Sequence, residues 1–257
     1  MNQADLLQLP SMPLASPSYP QGPYRFLERE YLIITYESDP AAIRAQLPEP
    51  LEPDGSNTVL YEFIKMPDSS GFGSYTESGI VIPAQYEGEK VNFTSQMYLD
   101  IESPISGGRE IWGFPKKLAV PTLAVSEDTL TGTLDYAGER VATGTMRYKQ
   151  EQMTYDLKGE TVCTSSLAEI TQKMGKTQVN LKLIPDVDGS LAIAQLVAYN
   201  MTDIDVKGAW SGGARLHLIP HVNAPVADLP VKQVIGGMHF IADLTLPYGR
   251  VLHDYLQ

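Results

Sequence analysis

Two adjacent lysines, Lys116 and Lys117, sit in the stretch GGREIWGFPKKLAVP at 107–121, between Pro115 and Pro121 and among Ile111, Trp112, Phe114, Leu118, Ala119 and Val120. Lysine is almost never fully buried unless something specific holds it, so a doublet in an apolar run has two readings. In one, both stems lie along the core and both ammonium heads reach water. In the other, an apolar pocket disfavours the charged form and lowers one pKa, leaving a neutral amine that can form an imine with a ketone.

The second reading sets a size for the effect. Free lysine has a pKa of about 10.4, so near neutrality only about one amine in ten thousand is uncharged, and correcting this takes about four units, or about 5.5 kcal/mol. A second ammonium at 4 Å supplies about 1 kcal/mol in water and about 4 at an effective dielectric of 20. If residues 116–118 are extended, moreover, the two side chains point to opposite faces. Burial alone moves a lysine by about 3–5 units. The expectation is therefore that desolvation is the main cause of activation and Lys117 a secondary one.

The elements that must position this amine read as short strands. Glu30–Tyr36, Val59–Met66, Gly79–Tyr86, Val91–Asp100, Leu118–Ser126, Leu130–Tyr136, Val141–Tyr148, Val179–Ile184, Ala192–Thr202, Ala214–Ile219 and Val234–Leu246 are rich in β-branched and aromatic residues between Gly/Pro breaks. Residues 137–140 turn a hairpin. Asp39 and Pro40 offer a cap and a first helical position for a short helix before Pro48. Ser103-Pro104 is expected to cap a helix reaching about Trp112, and Leu167–Lys173 is a further candidate helix. Residues 69–79 read as a Gly/Ser-rich loop presenting Glu77. The pattern predicts an α+β chain, mostly antiparallel β, with a few peripheral helices and edges removed by a closed or partly closed barrel.

Residues 1–24 carry five prolines, which argue against helix or central strand. Leu6, Leu7, Leu9, Met12, Leu14 and Tyr19 are more apolar than a solvated tail requires. The expected organisation is a Pro-rich extended arm over 1–24, laid on the body or on a neighbouring subunit, and one domain over 25–257. The net charge of −12 argues against nucleic acid or an anionic membrane as partner, and an anionic substrate would need a local basic cluster. The single cysteine, Cys163, excludes an internal disulfide and fits a reducing compartment. With no signal-peptide pattern and no apolar run of about eighteen residues, a cytoplasmic location is expected.

Other chemistries find no support. Gly175-Lys176-Thr177 ends like a phosphate loop, but Ile170 stands where its first glycine belongs. No nucleophile-elbow serine occurs. Four scattered histidines, the closest pair spanning Pro220, predict no metal site.

The lysine segment GREIWGFPKKLAVP resembles that of the acetoacetate decarboxylase family. Further segments follow in the family's order: SPSYPQGPYRFLEREY at 16–31, LPEPLE at 47–52, YEFIKMPDSSGFGSYTESG at 61–79, TLDYAGERVATGTMRYK at 133–149 and DLPVK at 228–232. Lysine activation is a known property of that family; what needs testing is whether these residues support it. The resemblance implies a barrel or cone-like core and decarboxylation of a small anionic β-keto acid, most simply acetoacetate, through a lysine imine. It implies no cofactor, and a homo-oligomer. It maps the imine lysine to Lys116, its companion to Lys117, the acidic residues to Glu77 and Glu62, and the arginine to Arg29. Arg29 could pair with the substrate carboxylate or with Glu77; Phe26 and Met97 are candidate pocket walls. Phe114 replaces a tyrosine of the family's type sequence, adding apolar bulk beside Lys116. Two alternatives remain: another lyase of the superfamily, using the imine for aldol or dehydration chemistry on a larger keto acid, and a noncatalytic barrel that binds small molecules.

Overall fold

The computed structural model describes residues 2–153 and 167–257; Cys163 lies outside the described residues. In chain order the elements are α1 (Gln3–Leu6), β1 (Tyr24–Glu37), α2 (Pro40–Gln46), β2 (Glu52–Pro53), β3 (Thr58–Ser69), β4 (Gly73–Tyr86), β5 (Glu89–Leu99) and α3 (Glu102–Gly107). A π-helical turn (Gly108–Trp112) follows, then β6 (Lys116–Leu118), β7 (Val120–Ser126), β8 (Thr129–Tyr136), β9 (Glu139–Arg147) and β10 (Glu151–Gln152). The remainder is α4 (Leu167–Met174), β11 (Gln178–Pro185), β12 (Leu191–Tyr199), β13 (Thr202–Gly212), β14 (Ala214–Leu218), β15 (Gln233–Leu246) and β16 (Arg250–Asp254).

The large sheet runs β10-β13-β15-β1-β3-β4-β5-β11-β12-β16, with β2 on β4 and β6 on β5; the small one runs β14-β9-β8-β7. Pairing is antiparallel except where β5 meets β6 and β11. The path ends at β10 and β16 without joining them. Among the described residues no sheet closes on itself, so of the expected closed or partly closed barrel the full closure is not seen. Cover comes instead from packing on the two faces.

Alternation along β1 and β3 sorts the side chains. Leu32, Ile34, Tyr36, Tyr61 and Phe63 face the small sheet and bury with its Leu123, Leu130, Leu134 and Met146. Gly132 and Gly144 make room for Phe63: a Cβ at either would lie 2.2 or 2.5 Å from its ring. The opposite face carries Phe26, Tyr31, Ile64, Met97, Trp112, Phe114, Tyr199 and Phe240 as a second buried cluster. That second face holds the site.

Three local expectations need correction. The expected loop over 69–79 shrinks to a turn at 70–72: β3 continues to Ser69 and β4 begins at Gly73, so Glu77 lies inside a strand, opposite Ile64 and Leu99. Ladder pairing on both sides overrides the weak strand preference of Gly and Ser. Ser103 caps no helix; its hydroxyl donates to the Ser18 carbonyl at 2.5 Å, and the helix reaches Trp112 only through the π-helical turn. The arm is not wholly free of helix either. One turn, α1, forms ahead of Pro10 with a reciprocal Asn2–Asp5 capping box.

Candidate active site

Lys116 opens β6, which pairs in parallel with β5 so that Met97 faces Lys116. Across the sheet the same row holds Gly79 and Glu62, and Ile33 beyond them. Glu77 stands one pleat away on β4. Arg29 arrives from β1 by a less obvious route. In the pairing with β15, β1 carries one extra residue between Phe26 and Arg29, and Glu28 there has φ 52°. Such a bulge re-aims side chains, and here Phe26 and Arg29 end on one face, the guanidinium carbon 5.1 Å from the Phe26 ring centre and 4.8 Å from that of Tyr31.

Lys116, Glu77 and Arg29 are buried, at 6, 3 and 7 % exposure. Lys116 Nζ lies 3.2 Å from Glu77 Oε2, and Arg29 Nη2 lies 3.8 Å from Glu77 Oε1. The lysine contact has ion-pair distance without hydrogen-bond alignment, since Glu77 Oε2 has no hydrogen-bond partner, and Arg29 Nε has none either. The Phe114 ring centre is 4.8 Å from Nζ and that of Tyr75 6.0 Å. Burial holds the Lys116 pKa below the ordinary lysine value; Glu77 opposes that shift and Arg29 adds to it. Desolvation is thus the largest cause, as the sequence predicts. Burial pushes the Glu62 carboxyl up to about 7, with Arg29 pulling down and Glu77 pushing up.

A cavity of about 600 Å³ runs over this face, walled by Phe26, Arg29, Glu62, Glu77, Met97, Phe114 and Lys116, and also by Tyr31, Tyr75 and Tyr199. The three tyrosines escaped the sequence reading, although Tyr31 and Tyr75 sit within the quoted segments EREY and YTESG. Lys117 is not brought to the cavity. In an extended β6 its side chain takes the other face, where it is exposed and donates to the Asn223 carbonyl at 2.5 Å. Lys117→Met should therefore move the Lys116 titration by less than about one unit; a rise of several units, read from the pH dependence of imine formation, would contradict the geometry.

The π-helical turn seats the amine. Gly113, at φ 75°, ends it, and the Phe114 N–H donates back to the Gly108 carbonyl at 3.0 Å. Gly108 packs directly on the lysine: a Cβ there would meet Lys116 Cδ at 2.8 Å, Cε at 3.0 Å and Nζ at 3.2 Å. The paired glycines of the GGRE segment were the available signal for this residue. Because the lysine stem must yield, Gly108→Ala should lower kcat by about 10–100-fold with the fold intact, as measured by steady-state rates beside far-UV circular dichroism.

Glu62 permits a pH prediction. Its pKa is raised on folding from 4.5 to about 7, so between those values the native state binds more protons than the unfolded one. Stability from this group is therefore full at low pH and lost as pH rises toward 7. Glu62→Gln should raise Tm relative to wild type more at pH 8 than at pH 5. An equal change at both would contradict it.

Among the described residues no group of three or more His, Cys, Asp or Glu could hold a metal ion. No helix of the described residues is long and apolar enough to cross a membrane.

Fold and cavity together define a class: a mostly antiparallel β protein with a buried lysine–glutamate–arginine cluster on one face of its large sheet. A family model for acetoacetate decarboxylase matches residues 11–256, and the chain belongs to that family. It is 55 % identical over 246 residues to an acetoacetate decarboxylase of Bordetella avium, covering 96 % of this chain and 95 % of that one. A crystal structure of acetoacetate decarboxylase from Legionella pneumophila superposes with a TM-score of 0.90 at 46 % identity, over 98 % of this chain and 96 % of the other. An enduracididine biosynthesis enzyme complexed with pyruvate shares the fold alone, at 20 % identity and a TM-score of 0.79, over 96 % and 98 % of the two chains.

Proposed function

We propose that this protein is a carboxy-lyase that converts acetoacetate to acetone and CO2 through a Schiff base on Lys116. The observation that carries the reading is the buried Lys116 amine, 3.2 Å from Glu77 and held below its ordinary pKa by desolvation. A neutral Nζ attacks the ketone carbon, and loss of water gives an iminium. The electron pair of the bond to the carboxylate then enters the iminium, CO2 departs and an enamine remains. Protonation of its terminal carbon and hydrolysis of the imine release acetone and regenerate the amine.

Each neighbour has a part. Arg29 stays charged at any working pH, and its unpartnered Nε leaves a donor for the substrate carboxylate. Glu77 lies between amine and guanidinium and holds both. Glu62, with a pKa of about 7, suits proton transfer near neutrality. Phe26, Met97 and Phe114 keep the site dry, and Lys117 takes no part. The iminium is itself the electron sink, so these steps call on no metal or organic cofactor.

Sodium borohydride trapping in the presence of acetoacetate tests the reading. It expects a stable adduct on Lys116 together with CO2 release. An adduct without CO2 would favour aldol or dehydration chemistry, and absence of any adduct would favour a noncatalytic binder.

We further read residues 25–257 as one domain, a partly closed cone whose open sheet is covered on both faces, with 1–24 as an arm over it. The arm's Tyr19 is buried, its hydroxyl donating to Glu110 Oε2 at 2.5 Å, while Leu7 and Met12 are exposed. A second copy covering them would make a homo-oligomer, and the single cysteine fits the cytoplasm.

A further inference from the structure

Resting on the β-keto-acid reading, we propose that the site takes β-keto acids whose acyl tails are longer than the methyl of acetoacetate, the tail lying along the sheet toward Leu60 and Val81. With the carboxylate at Arg29 and the ketone carbon at Lys116 Nζ, the remaining substituent must point away from Arg29. Strand register says what it meets. Past the row of Ile33, Glu62 and Met97 comes the row of Thr35, Leu60, Val81 and Thr94, and the same cavity continues over it. Ile33, Leu60, Val81 and Met97 give that stretch an apolar floor.

Size points the same way. A cavity of about 600 Å³ is in the range that encloses drug-sized ligands, and a short keto acid fills little of it. The apolar stretch also has an end. Thr58 and Asn92 line the cavity one row further, with Lys176 Nζ donating to Asn92 Oδ1 at 2.9 Å. From Glu62 to Thr58 is four residues, about 13 Å of strand, which leaves room for a tail of several methylenes before polar groups begin.

The test is a series of straight-chain β-keto acids from acetoacetate to 3-oxodecanoate, with CO2 release as readout. Each methylene taken from water should raise kcat/KM by up to about fourfold, levelling off once the tail reaches Thr58 and Asn92. In Leu60→Trp the ratio of long-chain to short-chain kcat/KM should fall by at least about tenfold. A wild-type kcat/KM that is flat or falls with length, while acetoacetate is turned over, would overturn the proposal and leave the decarboxylase reading standing. A wild-type rise that Leu60→Trp does not touch would overturn the placement of the tail. Failure to release CO2 from any member of the series would sink both.

Discussion

Lys116→Met is expected to lower turnover of acetoacetate by at least about 10⁴-fold, in the range found when a covalent nucleophile is removed. The expectation rests on the amine being the electron sink's nitrogen rather than a nearby charge. Methionine matches the unbranched, apolar stem that the site buries, and Glu77 keeps Arg29 at 3.8 Å, so the change should leave a folded protein. Lys116→Arg separates the two roles. It restores a cation, but a guanidinium is not neutral at any working pH, so it should form no imine and recover no activity. Turnover within tenfold of wild type in Lys116→Arg would refute covalent catalysis at this position. The measurement is CO2 release, with borohydride trapping on the same samples.

The second large effect is Arg29→Met, expected to reduce kcat/KM by about 10²–10³-fold. Removing one partner of a buried charged contact costs about 2–5 kcal/mol, and the substrate carboxylate is that partner in the complex. The loss should appear mainly in KM. A second readout follows from the electrostatics. Arg29 helps hold down the pKa of Lys116 and that of Glu62, so without it both rise and the pH profile of kcat/KM moves to higher pH. Arg29→Lys should return part of the profile but not the full affinity, because an ammonium lacks the two-pronged donor geometry. An unchanged KM with an unmoved profile would exclude Arg29 from the substrate site.

Much of the scaffold was written locally. Runs of β-branched and aromatic residues mark β1, β3, β5 and β15, Asp39-Pro40 marks α2, and Ala137-Gly138 marks the β8–β9 turn. What escaped was either charged or broken by glycine. The strand β13 carries Asp203, Asp205 and Lys207 on an exposed side, so its alternation is hidden among polar residues. The local pattern carries one strand over Ala192–Thr202, across what is the junction of β12 and β13. The five-residue β16 finds its ladder only beside β12 at the end of the sheet. In the 69–79 segment the chain turns only at 70–72; beyond it β4 is held by pairing to β3, joined by β5 from Glu77 on, which no local propensity encodes.

The site divides along the same line. Sequence by itself determined that an apolar segment delivers a lysine doublet, that its members face opposite ways if extended, and that dryness outweighs a neighbouring charge as the means of activating one of them. Those conclusions need only side-chain chemistry and the two-residue repeat of a strand. Tertiary structure decided which groups meet that amine. Arg29, Glu62, Glu77 and Lys116 come from four strands, and the lateral order of those strands sets the row each occupies. A single extra residue at Glu28 turns Arg29 onto the cavity face, and Gly108, eight places upstream on a π-helical turn, sets where the nitrogen rests. Long-range pairing and close packing fix such relations, and a one-residue change of register would reverse them.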